Sequence, residues 1–302
     1  MAQRSVRNVV PQVWRGATSL GQADAARHTR SQPCQTRAVD QNDLVQNSDR
    51  DARDLLVAAQ TRWDRPVPHC PDWDAAGLVR HMGFILQWMA AIVATGERVS
   101  RRTLEPAAPE DPDDLSDWYV AALDRTLDVF THTDPARATW TFSTTGDQRA
   151  GWWRRRLAVE VATHRWDVER AVADGAGGVA GGVAGGAPED SVPRPLDGDV
   201  ASAGIEEFVI EFLPGLLTRA DTEGITGTLQ LLAVDPPAYG SVTWWIDLDD
   251  GGKVMPGTEK ADTAILGTRS DLLLWLQNRG PLESLEVFGN QKILDRWGQL
   301  AF

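Results

Sequence analysis

The sequence predicts an α+β protein in which a four-helix bundle precedes a small C-terminal α/β domain. Between residues 40 and 174, apolar residues recur at helical spacing in four segments, with no convincing strand between them. Residues 175–195 form a Gly- and Ala-rich run of low complexity, which is too flexible to bury anything. Strand-like segments appear beyond it. We therefore expect the bundle over residues 40–174, a linker over 175–195 and the α/β domain over 196–302.

Residues 1–39 differ in composition from the rest of the chain. They contain six Arg and a single acidic residue, Asp24. An Arg-rich, acid-poor start can be a transit peptide, and no apolar signal-peptide core is visible. We favour a disordered extension or an over-called start codon, because the apolar residues of this segment are patchy.

The overall composition limits the classes of partner. A net charge of −13 argues against nucleic acid, whose phosphates would be repelled. Two Cys are too few for a disulfide scaffold and indicate a reducing compartment. No apolar run approaches the roughly 18 residues that a membrane span needs. We expect a cytoplasmic monomer or homodimer that acts on small molecules, with no nucleic-acid or membrane partner.

The first predicted helix runs over residues 40–65 and ends before Pro66, since the residue before a proline disfavours helical backbone. Either Asp72 or Asp74 can cap the second helix. This helix continues toward Gly96 and places His81 within its apolar stripe.

The third helix covers residues 115–130, and the fourth covers residues 151–174. The fourth carries His164 within its apolar stripe, with Glu160 one turn earlier beside the stripe. A carboxylate in such a seam costs several kcal/mol unless it is paired or bound to a metal. Glu160 and His164 are therefore the first candidates for chemistry.

The C-terminal domain is predicted to mix helices with short strands. We expect a helix over 201–217, strands over 227–234, 241–248 and 261–267, a helix over 270–278 capped by Ser270 or Asp271, a strand over 285–287 and a last helix over 291–300.

His81, Glu160 and His164 are predicted to face the bundle interior from two helices. Two imidazoles and a carboxylate suit Zn²⁺ or another divalent first-row metal, with a position left open for water or substrate. Each His alone is more often a satisfied core residue, but three such residues on one core favour the metal site. His69 and Cys70 could form a nucleophile pair, although no third group is placed to orient them. Cys70 is more typical of a small buried packing residue.

Two stretches resemble the mycothiol-dependent maleylpyruvate isomerase family. They are CPDWDAAGLVRHMG, which leads into the second helix, and AVEVATHRWDVERA in the fourth. The N-terminal part of that family is a DinB-like metal-binding four-helix bundle. The later stretches WWIDLDDGG and LEVFGNQKILDRW resemble its C-terminal α/β domain, which is similar to sterol-carrier-like folds. The resemblance spans residues 40–302 apart from most of the linker.

The resemblance implies a zinc ion bound by one His of the second helix and by a Glu and a His of the fourth, here His81, Glu160 and His164. It also implies mycothiol as cosubstrate. An Arg of the C-terminal domain is believed to assist in the family. Arg279 is our first candidate and Arg269 the second, although either could be a solvated surface residue.

Asp167 lies three residues after His164 on the fourth helix. It could accept a hydrogen bond from a ligand imidazole and so fix its orientation. A surface salt bridge is an equal alternative.

We therefore predict an enzyme that uses a divalent metal, first of all Zn²⁺, to activate mycothiol or another small thiol. Attack of the thiolate on an alkene conjugated with a carbonyl, followed by rotation and elimination, would isomerise it. Displacement of a leaving group would make the enzyme a thiol S-transferase. A non-catalytic carrier of a hydrophobic ligand and a metal-dependent hydrolase are the alternatives.

Overall fold

The computed structural model describes most of the chain beyond residue 39. The described residues are 40–104, 108–176, 192–219, 225–235, 241–255, 260–280, 282–298 and 300. The predicted extension and most of the predicted linker lie outside them. We call residues 40–176 the helical part and residues 192–300 the C-terminal part.

The helical part contains four long helices, each beginning or ending close to a predicted boundary. They are α1 (Gln41–Thr61), α2 (Ala75–Thr95), α3 (Pro112–His132) and α4 (Ala150–Ala176), with a 3₁₀ turn at Arg101–Thr103. Asp74 caps α2 by accepting a hydrogen bond from the Gly77 amide, and Gly96 ends it in the left-handed conformation. The predicted end of α1 at residue 65 is wrong, because the chain leaves the helix after Thr61 and forms a bridge between Pro66 and Asp74.

Helix α2 corrects one expectation about the composition. By length and apolar content Ala75–Thr95 could cross a membrane, contrary to the prediction that no run approaches this length. However, 67% of that apolar window is buried inside the protein. Leu78, Met82 and Ile92 of α2 are fully buried in the core that the four helices share. The apolar character of α2 is therefore explained by its central place in this core.

The C-terminal part opens with a helix that is interrupted, whereas the sequence predicts one continuous helix over 201–217. It consists of α5 (Gly198–Glu207), a π-helical turn (Phe208–Phe212) and α6 (Leu213–Arg219). Pro214 explains the interruption, because it has no N–H to donate to the Ile210 carbonyl one turn earlier. The same carbonyl accepts a hydrogen bond from the Thr144 hydroxyl at 3.4 Å.

The remaining elements build one sheet with helices packed on it. Within the described residues the strands are β1 (Thr228–Val234), β2 (Ser241–Asp247), β3 (Lys253–Met255), β4 (Thr263–Gly267) and β5 (Glu286–Gly289), in the order β3-β2-β1-β4-β5. Only the β1–β4 pair among them is parallel. The helices are α7 (Arg269–Leu276) and α8 (Lys292–Trp297), with a 3₁₀ turn at Leu282–Ser284. The predicted α+β class is confirmed.

Two details of this part differ from the sequence prediction. The strand β3 was not predicted, since three residues are too short for an alternating pattern to be visible. The predicted caps Ser270 and Asp271 are wrong, because Thr268 caps α7 by accepting a hydrogen bond from the Asp271 amide at 3.1 Å. The predicted domain boundaries remain a prediction.

Helix α4 packs into both cores. Leu157 and Val161 lie in the core of the helical part, whereas Val159, Ala162 and Trp166 belong to the core of the C-terminal part. The functional residues of α4 therefore lie where the two parts meet.

Close packing at this junction depends on Gly204 of α5. A Cβ atom there would lie 2.4 Å from Leu273 Cδ2 and 3.2 Å from Val159 Cγ1. Both neighbours are buried in the core, so a shift of either side chain would disturb its packing. We expect Gly204→Ala to lower the free energy of unfolding by about 1–3 kcal/mol, measured by denaturant titration. Gly298→Ala is the control, since a Cβ there meets nothing within 4 Å, and equal stabilities of the two variants would contradict this packing.

Glu211, in the π-helical turn, ties this segment to the loop before α4. Its carboxylate accepts hydrogen bonds from the Ser143 hydroxyl (2.7 Å), from the amide and hydroxyl of Thr144 (2.5 and 2.6 Å) and from Trp152 Nε1 (3.2 Å). Burial raises the pKa of Glu211, but these hydrogen bonds outweigh it and leave the pKa below its ordinary value.

This lowered pKa predicts how stability depends on pH. A depressed carboxyl pKa contributes stability that is present above the unfolded-state pKa of about 4.3 and is lost as pH falls through the folded-state value. We expect Glu211→Gln to lower the free energy of unfolding by about 2 kcal/mol at pH 7, with the difference from wild type shrinking below about pH 4. Denaturant titration at several pH values measures it. A constant difference across this range would contradict the assignment.

Candidate metal site

The structure brings His81 of α2 together with Glu160 and His164 of α4. Oε1 of Glu160 lies 3.6 Å from Nε2 of His81 and 3.6 Å from Nε2 of His164. The two imidazole rings meet edge to face, with centroids 5.4 Å apart. All three potential ligand atoms lie within 4.8 Å of one another.

These separations fit a shared metal better than direct hydrogen bonds. A distance of 3.6 Å exceeds that of an N–H···O hydrogen bond. Two ligands of a tetrahedral zinc ion, each about 2.0–2.1 Å from the metal, are separated by about 3.4 Å. Two imidazole nitrogens and one carboxylate oxygen are also ligands that Zn²⁺ commonly takes, with a fourth position left for water or substrate. The residues present therefore fit a divalent metal.

The pKa values of the two imidazoles are shifted in opposite directions. Burial, with smaller contributions from His164, Arg101 and Arg156, lowers the pKa of His81 to about 4. His81 is thus neutral at pH 7 and has a lone pair for a metal. Burial also lowers the pKa of His164, but its hydrogen bonds to Asp167 and Cys70 outweigh this and raise the pKa.

Asp167 lies directly behind His164. Its Oδ2 is 3.0 Å from Nδ1 of His164, so an Nδ1–H donor leaves Nε2 facing Glu160 and His81. Asp167 is fully buried, and the predicted alternative of a surface salt bridge is therefore wrong. Burial raises its pKa, but the contacts with His164 and Arg279 outweigh burial and lower it.

Arg279 completes this chain of contacts from the C-terminal part. Its Nε donates to both oxygens of Asp167 at 3.0 and 3.1 Å, and its side chain is only 10% exposed. The alternative of a solvated surface residue is therefore wrong for Arg279. It is also wrong for Arg269, which is 3% exposed and pairs with Asp235 at 2.7 Å. Arg269 does not line the cavity described below.

The candidate ligands open onto a cavity of about 270 Å³ between the two parts. Eight of its ten lining residues have polar or charged side chains. The lining comes from the turn before α2 and from α2, α4 and the segment after α7: His69, Cys70, Trp73, His81, Arg156, Glu160, Thr163, His164, Gln277 and Arg279. The cavity is large enough for a small molecule or part of a thiol to reach the three ligands.

The sequence favoured a packing role for Cys70 and predicted no role for Arg156, yet both residues line this cavity. Cys70 packs against the core of the helical part, but it also lines the cavity and forms a second potential ligand group with His164 and Asp167. Arg156 forms an ion pair with Glu160 and donates to Glu207 of α5 at 2.7 Å. The sequence places Arg156 four residues before Glu160, and this spacing predicts that the two side chains meet on one face of a helix.

A known protein family matches most of the helical part. Residues 44–169 match the family model of the mycothiol maleylpyruvate isomerase N-terminal domain. The helical part is similar to this isomerase domain. The matched segment includes His81, Glu160 and His164 and ends within α4. The resemblance that the sequence motifs predicted is therefore confirmed over this segment.

Two solved structures are also similar to the chain. One is a histidine-to-alanine mutant of the mycothiol-dependent maleylpyruvate isomerase, with 13% sequence identity and a TM-score of 0.48. The other is the mycothiol-dependent maleylpyruvate isomerase, with 14% identity and a TM-score of 0.47. Each similarity covers 82% of this chain and 93% of the solved chain. No curated protein matches the chain.

Proposed function

We propose that the protein is a metal-dependent enzyme that activates mycothiol, or a related small thiol, for attack on an electrophilic small molecule. The observation that carries the proposal is the meeting of His81 Nε2, Glu160 Oε1 and His164 Nε2 at one wall of a polar cavity. These residues would hold Zn²⁺ or another divalent first-row metal. The match of residues 44–169 to the isomerase N-terminal domain supports mycothiol as the thiol.

The bound metal would supply a Lewis acid that lowers the pKa of a thiol sulfur toward neutrality. The chain itself fixes the geometry around it. Asp167 holds the His164 ring with Nε2 toward the cavity, and the Trp73 ring packs against His81 in a tilted arrangement with ring centroids 4.5 Å apart. We assign Arg279 to a carboxylate of the substrate, because this positively charged residue lines the same cavity and its Nε is held in place by Asp167.

Two reactions are consistent with this site. Reversible addition of the thiol to a conjugated alkene would make the protein a maleylpyruvate-type cis–trans isomerase. Displacement of a leaving group would make it a thiol S-transferase in detoxification or natural-product metabolism. We propose a cytoplasmic enzyme, monomer or homodimer, whose partners are the thiol and a small electrophile.

The experiment is a turnover assay of the zinc-loaded protein on maleylpyruvate and a panel of electrophiles, with and without mycothiol. We expect turnover only with the thiol, lost on chelation and restored by Zn²⁺. Turnover of ester or amide substrates without thiol would replace the proposal with a hydrolase. A thermal shift with lipids but none with mycothiol would indicate the non-catalytic carrier, which the charged residues Arg156, Glu160 and Arg279 of the cavity do not favour.

A further inference from the structure

We propose that Arg156 and Glu207 are positioning residues that hold the Glu160 carboxylate in its metal-binding orientation. This inference rests on the proposed metal site and adds residues that the sequence motifs did not indicate. Glu207 lies on α5 of the C-terminal part, 51 positions from Arg156. The C-terminal part would therefore help to hold one of the metal ligands in position.

The two oxygens of Glu160 have separate partners. Oε1 faces Nε2 of both His81 and His164, whereas Oε2 forms the ion pair with Arg156. Because Arg156 occupies the oxygen that the imidazoles do not face, it need not compete with a metal for Oε1. It instead fixes the rotation of the carboxylate plane, which decides where Oε1 points.

Arg156 is itself held from the other side. Its Nη1 donates to Oε2 of Glu207 at 2.7 Å, and its guanidinium carbon lies 5.6 Å from the ring centroid of Phe212. The Arg156 side chain is 12% exposed and that of Glu207 is 2% exposed. A guanidinium that joins two carboxylates above an aromatic ring has little freedom to reorient.

The resulting series of ion pairs, Glu207–Arg156–Glu160, is similar to the series Arg279–Asp167–His164. In each, an Arg–carboxylate ion pair connects a candidate ligand of α4 with the C-terminal part. The simpler alternative is that Arg156 and Glu207 only hold α4 against α5 and affect the metal through their charge. The two accounts predict different metal affinities for a variant that keeps the charge at this place but changes the hydrogen-bond geometry around Glu160.

The test measures the Zn²⁺ dissociation constant by competition with a chelator, and the visible absorption of the Co²⁺-substituted protein, for two variants. Arg156→Lys keeps the charge but replaces the forked guanidinium with a point charge that cannot join both carboxylates in the same way. Arg156→Met combined with Glu207→Gln keeps the net charge and leaves no unpaired buried carboxylate at position 207. Arg155→Lys is the matched control, because Arg155 does not line this cavity.

We expect both test variants to bind Zn²⁺ about 10–100-fold more weakly than wild type and to change the Co²⁺ spectrum. The control should stay within about twofold of wild type. If a test variant folds, as judged by thermal unfolding, and keeps the Zn²⁺ affinity and Co²⁺ spectrum of wild type, the positioning role is overturned and the metal site is left intact. A wild-type protein that binds no metal would instead overturn the proposed function, and this inference with it.

Discussion

Replacing Asp167 with alanine is expected to lower the free energy of unfolding by about 3–5 kcal/mol, because it leaves a buried cation without its partner. Asp167 is fully buried and accepts hydrogen bonds from Arg279, whose side chain is 10% exposed. It also pairs with Nδ1 of His164.

Denaturant titration of the metal-free protein measures this loss without a contribution from metal binding. The control is Asp64→Ala, since Asp64 is 74% exposed and its ion pair with Arg62 is screened by solvent, so its loss should change stability little. Combining Asp167→Ala with Arg279→Met should recover part of the loss, because the cation is then removed as well. If Asp167→Ala were no more destabilising than Asp64→Ala, the buried chain from Arg279 to His164 would not exist.

The second large effect is expected from substitutions of the candidate ligands on α4. Glu160→Ala and His164→Ala should each reduce bound zinc from about one ion per chain to less than about 0.1, since only two of three protein ligands remain. Thiol-dependent turnover should fall at least about 10³-fold, the equivalent of several kcal/mol of transition-state stabilisation. Elemental analysis of the dialysed proteins and the turnover assay measure the two effects.

Matched controls are available on the surface of the helical part. Glu97 is exposed, and His132 is exposed and paired only locally with Asp128. Glu97→Ala and His132→Ala should therefore retain metal and activity. Equal metal content in wild type, Glu160→Ala and His164→Ala would contradict the proposed metal site.

The helical part and its candidate ligands could be predicted because their signals are local. The spacing of apolar residues placed Glu160 and His164 one turn apart on α4 and His81 on α2. Helix periodicity alone then directs such residues toward one core. The main error, the end of α1, arose because the turn that follows is fixed by the bridge between Pro66 and Asp74.

The groups around the ligands could not be predicted in the same way, because they arrive from distant segments. Arg279 reaches Asp167 across 112 positions, and Arg156 reaches Glu207 across 51. Sequence spacing indicates that Asp167 and Arg156 lie one helical turn from a candidate ligand. It does not indicate which residues of the C-terminal part pack against them. Whether Asp167 is exposed or buried is decided by the packing of the C-terminal part on α4.

The sheet shows the same limit. The antiparallel strands β1 and β2 follow each other in the sequence, and the alternation SVTWWIDL of the second was visible. The parallel pairing of β1 with β4 joins segments about 30 residues apart, which no local pattern specifies. Likewise, Pro214 marks a break in the helical segment, but the hydrogen bond from Thr144 to the Ile210 carbonyl comes from a segment 66 positions away.

The most direct test of the central claim is an anomalous difference map, at the zinc absorption edge, of crystals of the zinc-loaded protein. We predict a single strong peak about 2.0–2.2 Å from Nε2 of His81, Nε2 of His164 and Oε1 of Glu160. A peak coordinated by Cys70, His164 and Asp167 would contradict this assignment, since these residues form the other potential ligand group at the cavity. The absence of any peak at the cavity would contradict the metal site itself.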